Sequence, residues 1–258
     1  MTQPNIVTWF GQDLKEWTHG GKIKVSYRPT LDGGGSFEAG WYLNFFRKRY
    51  PERKFKKAFE WCSGPGFIGF SLLEAGICQK LCLADINEAA IDCARRTIEV
   101  NRLSSEVSCY VSDNFRQIPE HEQFDLIVAN PPYYKQYNPN YVVNASSTLR
   151  SSDPDWNLRR DFYANVGRYL SKDALLCISE YLPLEGALES GPRGPIDLRD
   201  RVPIDEFIPM IKRAGLRLKE VVLAEGEPVL QRITDGMPAS PAFQDCVWIL
   251  VIERSTRA

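Results

Sequence analysis

From residue 57 onward, short apolar segments alternate with segments of helical periodicity, and this order constrains the fold more than any other feature of the chain. Residues 57–63 are mostly apolar and lead into Ser-Gly-Pro-Gly, a pattern typical of a buried strand that enters a tight turn. Helical periodicity follows over 67–75, and a second strand-like segment over 80–86. The chain is therefore predicted to consist of consecutive strand–helix units.

The same two patterns predict the remaining elements. The further predicted strands are 107–113, 124–130, 174–182, 216–224 and 246–254, and the further predicted helices are 88–102, 156–170 and 204–214. The last two strands are joined by a long Gly- and Pro-rich connection, so the final strand is expected to be antiparallel. The predicted fold is α/β, a doubly wound, mostly parallel seven-stranded sheet covered by helices on both faces.

Polar and glycine residues follow the first three predicted strands, where sheets of this kind bind ligands. Gly64 and Gly66 permit positive φ and close approach of the backbone, and the helix start behind them favours an anionic group. Asp85 ends the second strand, where a carboxylate can accept hydrogen bonds from both ribose hydroxyls. Asp113, followed by Asn114, ends the third strand and suits an exocyclic adenine amino group. The combination predicts a nucleotide-like site.

With these motifs, residues 57–255 resemble the class I S-adenosylmethionine-dependent methyltransferases. Glu60 and the two glycines are similar to the first cofactor motif of that family, and the aspartate at the end of the second strand is similar to its ribose-binding acid. The resemblance implies a Rossmann-like methyltransferase fold, S-adenosylmethionine as cofactor, contact of Asp113 with the adenine amino group, and packing of Ile86 on the adenine face. The acidic residue ahead of the glycines favours this family over NAD-dependent oxidoreductases.

The most specific signal is Asn130-Pro131-Pro132-Tyr133, directly after the fourth predicted strand. The Asn130 side-chain oxygen and the Pro131 carbonyl can accept hydrogen bonds from a planar nitrogen, which directs its lone pair toward a methyl donor. Pro131 stiffens the turn, and Tyr133 can stack on a planar acceptor. These three residues are the predicted catalytic residues, and Asn114 and Asn130 are predicted cofactor contacts. The motif resembles that of N-methyltransferases of the methyltransferase small-domain type, which act on adenine amino groups or glutamine amides.

Four functions remain open at this stage. The first is an N-methyltransferase acting on an amide, amino or guanidine nitrogen of a small molecule, such as an amino acid, or of a peptide side chain. The alternative is an adenine N6 methyltransferase acting on RNA or DNA, whose phosphate-driven binding would weaken steeply with salt. A non-catalytic cofactor-binding subunit and an NAD-dependent oxidoreductase are further alternatives, and both leave the motif at 130–133 without a role.

Charge favours the first of these functions. The net charge is -1 and the pI about 6.2, without the basic excess of a dedicated nucleic-acid binder. The basic stretch within 47–57 is expected to be a solvated helix end rather than a phosphate contact. Acidic residues near the predicted strand ends could receive a cationic acceptor: Asp153, Asp155, Glu180, Glu185 and Glu189.

The remaining features bound location and domain organisation. The seven Cys lack disulfide-like or zinc-like spacing and only two His are present, so no metal site is expected, and reduced thiols indicate a cytoplasmic protein. No membrane contact is expected, because no apolar run reaches membrane-spanning length. Residues 1–56 are predicted to be an N-terminal extension to a methyltransferase domain at 57–258, with residues 27–35 as a lid over the site.

Overall fold

The computed structural model describes residues 14–132, 135, 152–181, 204–223 and 247–255. The strands in these ranges are β1 (Lys15–Trp17), β2 (Val25–Tyr27), β3 (Phe55–Trp61), β4 (Cys78–Asp85), β5 (Val107–Val111), β6 (Phe124–Ala129), β7 (Leu170–Tyr181), β8 (Leu216–Leu223) and β9 (Val247–Arg254). The α-helices are α1 (Gly35–Arg49), α2 (Phe67–Glu74), α3 (Glu88–Val100), α4 (Asn157–Val166) and α5 (Ile204–Arg213). Short 3-10 turns precede α1 and flank α4.

The large sheet has seven strands in the order β5-β4-β3-β6-β7-β9-β8. Neighbours from β5 to β7 pair in parallel, whereas β9 lies between β7 and β8 and is antiparallel to both. The predicted α/β fold with a mostly parallel sheet and an antiparallel final strand is confirmed. The carboxyl ends of β3, β4, β5 and β6 lie side by side, and this edge is where the site forms.

Both faces of the sheet are buried, which is why its central strands have nearly continuous apolar sequences. In β4, Leu81 and Leu83 face a core shared with α1 and α2, while Cys82 and Ala84 face a second core shared with α4 and α5. Adjacent residues of a strand point to opposite faces, so one apolar run supplies both cores.

Helix α1, although it precedes the strand–helix pattern, is part of the first core. It packs against α2, and its Tyr42 and Phe46 are buried in the same cluster as Phe55 and Phe67. The expected boundary between residues 56 and 57 falls inside β3, because the strand already begins at the buried Phe55. The basic residues 47–49 form the exposed last turn of α1, as expected for a solvated helix end.

Tyr42 joins α1 to the two central strands β6 and β7. Its buried hydroxyl donates to the carbonyl oxygen of Ala129 at 2.7 Å and lies 2.9 Å from that of Cys177. Ala129 is the last residue of β6 and directly precedes Asn130. Tyr42 therefore fixes the backbone at the point where the turn at 130–133 begins.

We expect Tyr42→Phe to lower the free energy of unfolding by about 1 kcal/mol or more, because the substitution removes a buried hydrogen-bond donor from two carbonyl groups. Urea denaturation of the purified variant measures this effect. Tyr50→Phe is the matched control, since Tyr50 is only partly buried at the end of the same helix. A loss no larger for Tyr42→Phe than for Tyr50→Phe would contradict the assigned role.

Two kinds of feature are absent from the residue ranges given above. No helix there is long and apolar enough to cross a membrane. No group of three or more His, Cys, Asp or Glu side chains in the same ranges is placed to hold a metal ion.

Candidate active site

A cleft at the carboxyl edge of β3 to β6 brings together most of the predicted site residues. Its empty space, which includes a part open to solvent, is about 940 Å³. The predicted residues that line it are Glu60, Gly64, Asp85, Ile86, Asp113, Asn114 and Asn130. Leu31, Gly33 and Gly35 of the N-terminal segment also line it. The predicted Tyr133 lies outside the described residues.

The turn after β3 depends on glycine. Gly64 and Gly66 have φ of +51° and +92°, in the left-handed region. Gly66 N–H donates to the Ser63 carbonyl at 2.8 Å, and a Cβ at position 66 would lie 2.8 Å from Cδ1 of Leu83. Cys62 also adopts a left-handed φ of 54°, a conformation that costs a non-glycine residue about 1–3 kcal/mol. The backbone there is held in place beside the cleft.

Glu60 ties the end of β3 to the start of α2. Its carboxylate is buried and accepts a hydrogen bond from Gly69 N–H at 2.7 Å. A Cβ at Gly69 would lie 2.6 Å from Oε2 of Glu60, which explains the third glycine of this turn. Burial raises the pKa of the Glu60 carboxyl to about 8, against the smaller opposing effect of the N–H groups of Gly69 and Ile68. Among the described residues, Glu60 forms its hydrogen bond with the backbone of α2.

This raised pKa predicts a pH-dependent stability. Between its ordinary pKa of 4.5 and the folded value of about 8, Glu60 keeps its proton in the folded chain but loses it in the unfolded chain. Stability from this group is therefore complete below pH 4.5 and declines as pH rises toward about 8.

We expect Glu60→Gln to gain stability relative to the natural sequence as pH rises through this window. Thermal unfolding across the range measures the difference. Glu99→Gln is the control, because the Glu99 side chain is 72% exposed. A Glu60→Gln difference that does not change with pH would contradict the raised pKa.

Asp85 is oriented toward the cleft by two backbone groups. Its Oδ2 accepts from Gly64 N–H at 2.7 Å and its Oδ1 from Asn87 N–H at 2.8 Å. A carboxylate has about four acceptor sites, so each oxygen can accept a further hydrogen bond from a ligand. Burial raises the pKa of Asp85. The adjacent Ile86 side chain is 55% exposed at the cleft, where an apolar surface suits a planar ring.

Asp113 and Asn114 differ in how far their side chains are available to a ligand. Asp113 lines the cleft and forms an ion pair with Arg116 at 2.9 Å. The Asn114 side chain is engaged by protein at both ends, because its oxygen accepts from Trp61 Nε1 and its amide donates to Asp161 Oδ2, each at 2.7 Å. These contacts give Asn114 a structural role, and its contact with a cofactor stays a prediction.

Asn130 follows β6 and reaches the N-terminal segment. Its Nδ2 donates to the Gly33 carbonyl oxygen at 3.4 Å. Its Oδ1 is buried and has no hydrogen-bond partner among the described residues. Leaving a buried acceptor unpaired costs about 1–3 kcal/mol. This atom therefore marks the position where a donor group would be stabilised.

Sequence reasoning missed Arg159, which is buried in α4 beside the motif at 130–133. Its guanidinium forms ion pairs with Asp153 at 2.9 Å and Glu180 at 2.6 Å. The interpretation of these two acids as receptors for a cationic acceptor is therefore wrong, because Arg159 already occupies both carboxylates. The signal was present in the sequence, since Arg159 lies at helical spacing with the buried Phe162 and Val166.

Of the other three acidic residues predicted to receive a cation, the structure describes one. Asp155 is exposed to solvent. Glu185 and Glu189 lie outside the described residues.

The strand order, the glycine turn after β3 and the carboxylate after β4 are those of the Rossmann-like methyltransferase fold. Residues 43–151 match the model of the methyltransferase small domain family. The resemblance to class I S-adenosylmethionine-dependent methyltransferases of this type is thus confirmed, and S-adenosylmethionine is the cofactor of that class.

The curated relatives are methyltransferases of proteins and RNA. Ribosomal protein uL3 glutamine methyltransferase of Francisella tularensis is 26% identical over 133 residues, 48% of this chain and 42% of that protein. Ribosomal RNA small subunit methyltransferase C of Actinobacillus pleuropneumoniae is 38% identical over 104 residues, 40% of this chain and 29% of that protein. Release factor glutamine methyltransferase of Leptospira interrogans is 37% identical over 73 residues, 28% of this chain and 26% of that protein. The chain thus spans less than half the length of these relatives.

Solved structures share the fold at low identity. An O-methyltransferase of Brevibacillus brevis in complex with S-adenosyl-L-homocysteine superposes with a TM-score of 0.51 at 15% identity, covering 84% of this chain and 72% of that one. M. jannaschii TYW2 in complex with AdoMet gives a TM-score of 0.50 at 12% identity, covering 95% of this chain and 87% of that one.

Proposed function

We propose that this chain transfers a methyl group from S-adenosylmethionine to a planar amide or amino nitrogen of a macromolecule. The observation that carries the proposal is the buried Asn130 Oδ1, which has no partner among the described residues and lies at the cleft edge. An N–H group is the partner that this oxygen lacks. A carbon acceptor would leave this oxygen without a donor, and a hydroxyl acceptor has a single O–H, so it could not donate to the Pro131 carbonyl as well.

The described residues fit the cofactor. The two oxygens of Asp85 retain acceptor sites for the ribose hydroxyls, and Ile86 offers an exposed apolar side chain for the adenine ring. Gly64 and Asp113 line the same cleft. S-adenosylmethionine, when bound, supplies an electrophilic methyl carbon on a sulfonium sulfur.

The residues of the motif act by positioning the acceptor nitrogen. Asn130 Oδ1 accepts one N–H, the Pro131 carbonyl accepts the second, and Tyr133 stacks on the plane of the acceptor. The lone pair, otherwise delocalised, is then held in line for attack, so catalysis consists mainly of orientation and electrostatics. No strong base is required, because the nitrogen acquires its acidity with the methyl group and releases its proton to solvent.

The acceptor we favour is the side-chain amide of a glutamine in a protein. Two of the relatives are named glutamine methyltransferases, of a ribosomal protein and of a release factor. These names give no support to the small-molecule acceptor that the sequence favoured. A second candidate is an amino group of RNA, supported by the relative named for ribosomal RNA. The cytoplasm is the proposed location, consistent with six free thiols in the described ranges.

Labelled S-adenosylmethionine, supplied with purified ribosomes or with purified release factor, tests the proposal. Label that resists ribonuclease but is released by protease identifies a protein acceptor, and the reverse identifies RNA. Raising the salt concentration should weaken RNA methylation more steeply. The Asn130→Ala variant is the control for contaminating activity. Cofactor binding without label in any of these substrates would contradict the proposed acceptor classes.

We also propose that residues 27–35 act as the lid predicted from the sequence. Support comes from Leu31, Gly33 and Gly35, which line the cleft, and from the hydrogen bond between Asn130 and the Gly33 carbonyl. Full activity after deletion of residues 1–35 would count against this role.

A further inference from the structure

Arg159 links helix α4 to the backbone of the Asn-Pro-Pro-Tyr motif. Its Nη1 donates to the carbonyl oxygen of Pro132 at 2.6 Å and also to Asp153 Oδ2 at 2.9 Å. Its Nε and Nη2 donate to the two carboxylate oxygens of Glu180 in β7, at 2.9 and 2.6 Å. One guanidinium therefore connects the motif, the start of α4 and the strand next to β6.

The surroundings of Arg159 leave it no freedom to move. Its side chain is 1% exposed, and the Asp153 and Glu180 side chains are 0% and 3% exposed. The guanidinium carbon lies 4.9 Å from the ring centre of Trp156 and 5.3 Å from that of Phe207. Paired carboxylates raise the pKa of Arg159 despite its burial, so the cation persists. A fork–fork pair enclosed by aromatic rings holds its donors in a fixed direction.

Stability alone does not account for this arrangement. A buried ion cluster can often be replaced by apolar side chains of similar volume without loss of stability. The feature that apolar side chains cannot reproduce is the hydrogen bond to the Pro132 carbonyl. Asp153 also accepts from Leu158 N–H at 2.8 Å at the start of α4, so the whole cluster is fixed relative to the helix.

We propose that Arg159 is a positioning residue for the acceptor: it fixes the Pro132 carbonyl and thereby the turn that holds Asn130 toward the acceptor nitrogen. The inference rests on the proposed function. It assigns Arg159 no contact with the acceptor or the cofactor. An exposed arginine pair lies in α3, where Arg96 contacts Glu99 at 2.7 Å and the two side chains are 49% and 72% exposed. This exposed pair serves as a matched control, because such ion pairs contribute little.

Arg159→Lys is the main test, since lysine keeps the charge but has three donors for the four hydrogen bonds that Arg159 makes, and cannot form the fork–fork pair with Glu180. We expect its turnover of labelled methyl groups to ribosomes or release factor to fall about 100-fold, the order expected for a misplaced reacting group. Calorimetry should show S-adenosylmethionine affinity within about twofold of the natural chain, because no cofactor contact changes. Arg96→Lys, the same substitution at the exposed pair, should retain turnover and affinity.

Hydrogen–deuterium exchange of peptides covering residues 126–136 separates failure of this inference from failure of the proposed function. Faster exchange there in Arg159→Lys, with Arg96→Lys unchanged, supports the positioning role even if no acceptor is found. Unchanged exchange or unchanged turnover in Arg159→Lys overturns it. If Arg159→Lys does not fold, Glu180→Gln, which weakens the fork–fork pair but keeps Arg159, takes its place with the same expected and overturning results.

Discussion

Replacing Asn130 with alanine is expected to reduce methyl transfer by about 100- to 1,000-fold, the range found when one preorganised hydrogen-bonding group is removed from an active site. The substitution deletes Oδ1, the buried acceptor that no described residue satisfies. The nitrogen of the acceptor then loses the group that orients its lone pair. Single-turnover measurements with labelled S-adenosylmethionine would report this loss as a lower rate of the chemical step.

Cofactor binding provides the control for Asn130→Ala. The contacts proposed for the ribose and adenine come from β4 and β5, so the dissociation constant measured by calorimetry should change by no more than about threefold. Asn130→Asp keeps an acceptor oxygen while losing only the 3.4 Å hydrogen bond to the Gly33 carbonyl. It should therefore retain more turnover than the alanine variant. Full activity of Asn130→Ala would show that another group orients the acceptor.

The second large effect is expected for Asp85→Ala, whose affinity for S-adenosylmethionine should fall by at least about tenfold. Hydrogen bonds to a charged group contribute about 1.5–3 kcal/mol each, and 1.4 kcal/mol corresponds to about tenfold in affinity. The change also releases Gly64 N–H and Asn87 N–H, which Asp85 holds at 2.7 and 2.8 Å. The glycine turn and the start of α3 would then lose a common anchor.

Calorimetric titration with S-adenosylmethionine measures this effect, and thermal unfolding separates it from a general loss of structure. Asp85→Asn is the conservative comparison, because an amide keeps one acceptor oxygen but places a donor group toward one of the two backbone N–H groups. Its affinity should lie between those of the natural chain and the alanine variant. An unchanged dissociation constant for Asp85→Ala would show that the ribose is held elsewhere.

Local sequence patterns predicted the elements of the sheet to within a few residues. The apolar run of β6, for example, was expected at 124–130 and is observed as Phe124–Ala129. The turn after β3 could also be predicted from the sequence. Gly64 and Gly66 have positive φ, a conformation that glycine adopts without the steric penalty of a side chain. The alternation of strand and helix also predicted that the site residues lie at the carboxyl edge of the sheet.

Local sequence patterns could not predict contacts between distant parts of the chain. Tyr42 bonds to a carbonyl 87 residues away, and Gly33 accepts from an asparagine 97 residues away. Sequence order gave no reason to connect helix α1 with the turn after β6. Asp153 and Glu180 illustrate the consequence. The sequence suggests that both carboxylates are available to an acceptor, whereas in the structure both form ion pairs with Arg159.

The sequence by itself therefore determined the class of fold, the glycine turn, and the identity of the motif at 130–133, since each depends on residues close together in the chain. The tertiary structure decided which polar groups are free to act. It engages Asn114 and Glu180 with protein partners and leaves Asn130 Oδ1 without one among the described residues. The physical reason is that a polar group's availability depends on which distant donors and acceptors folding brings within about 3 Å of it.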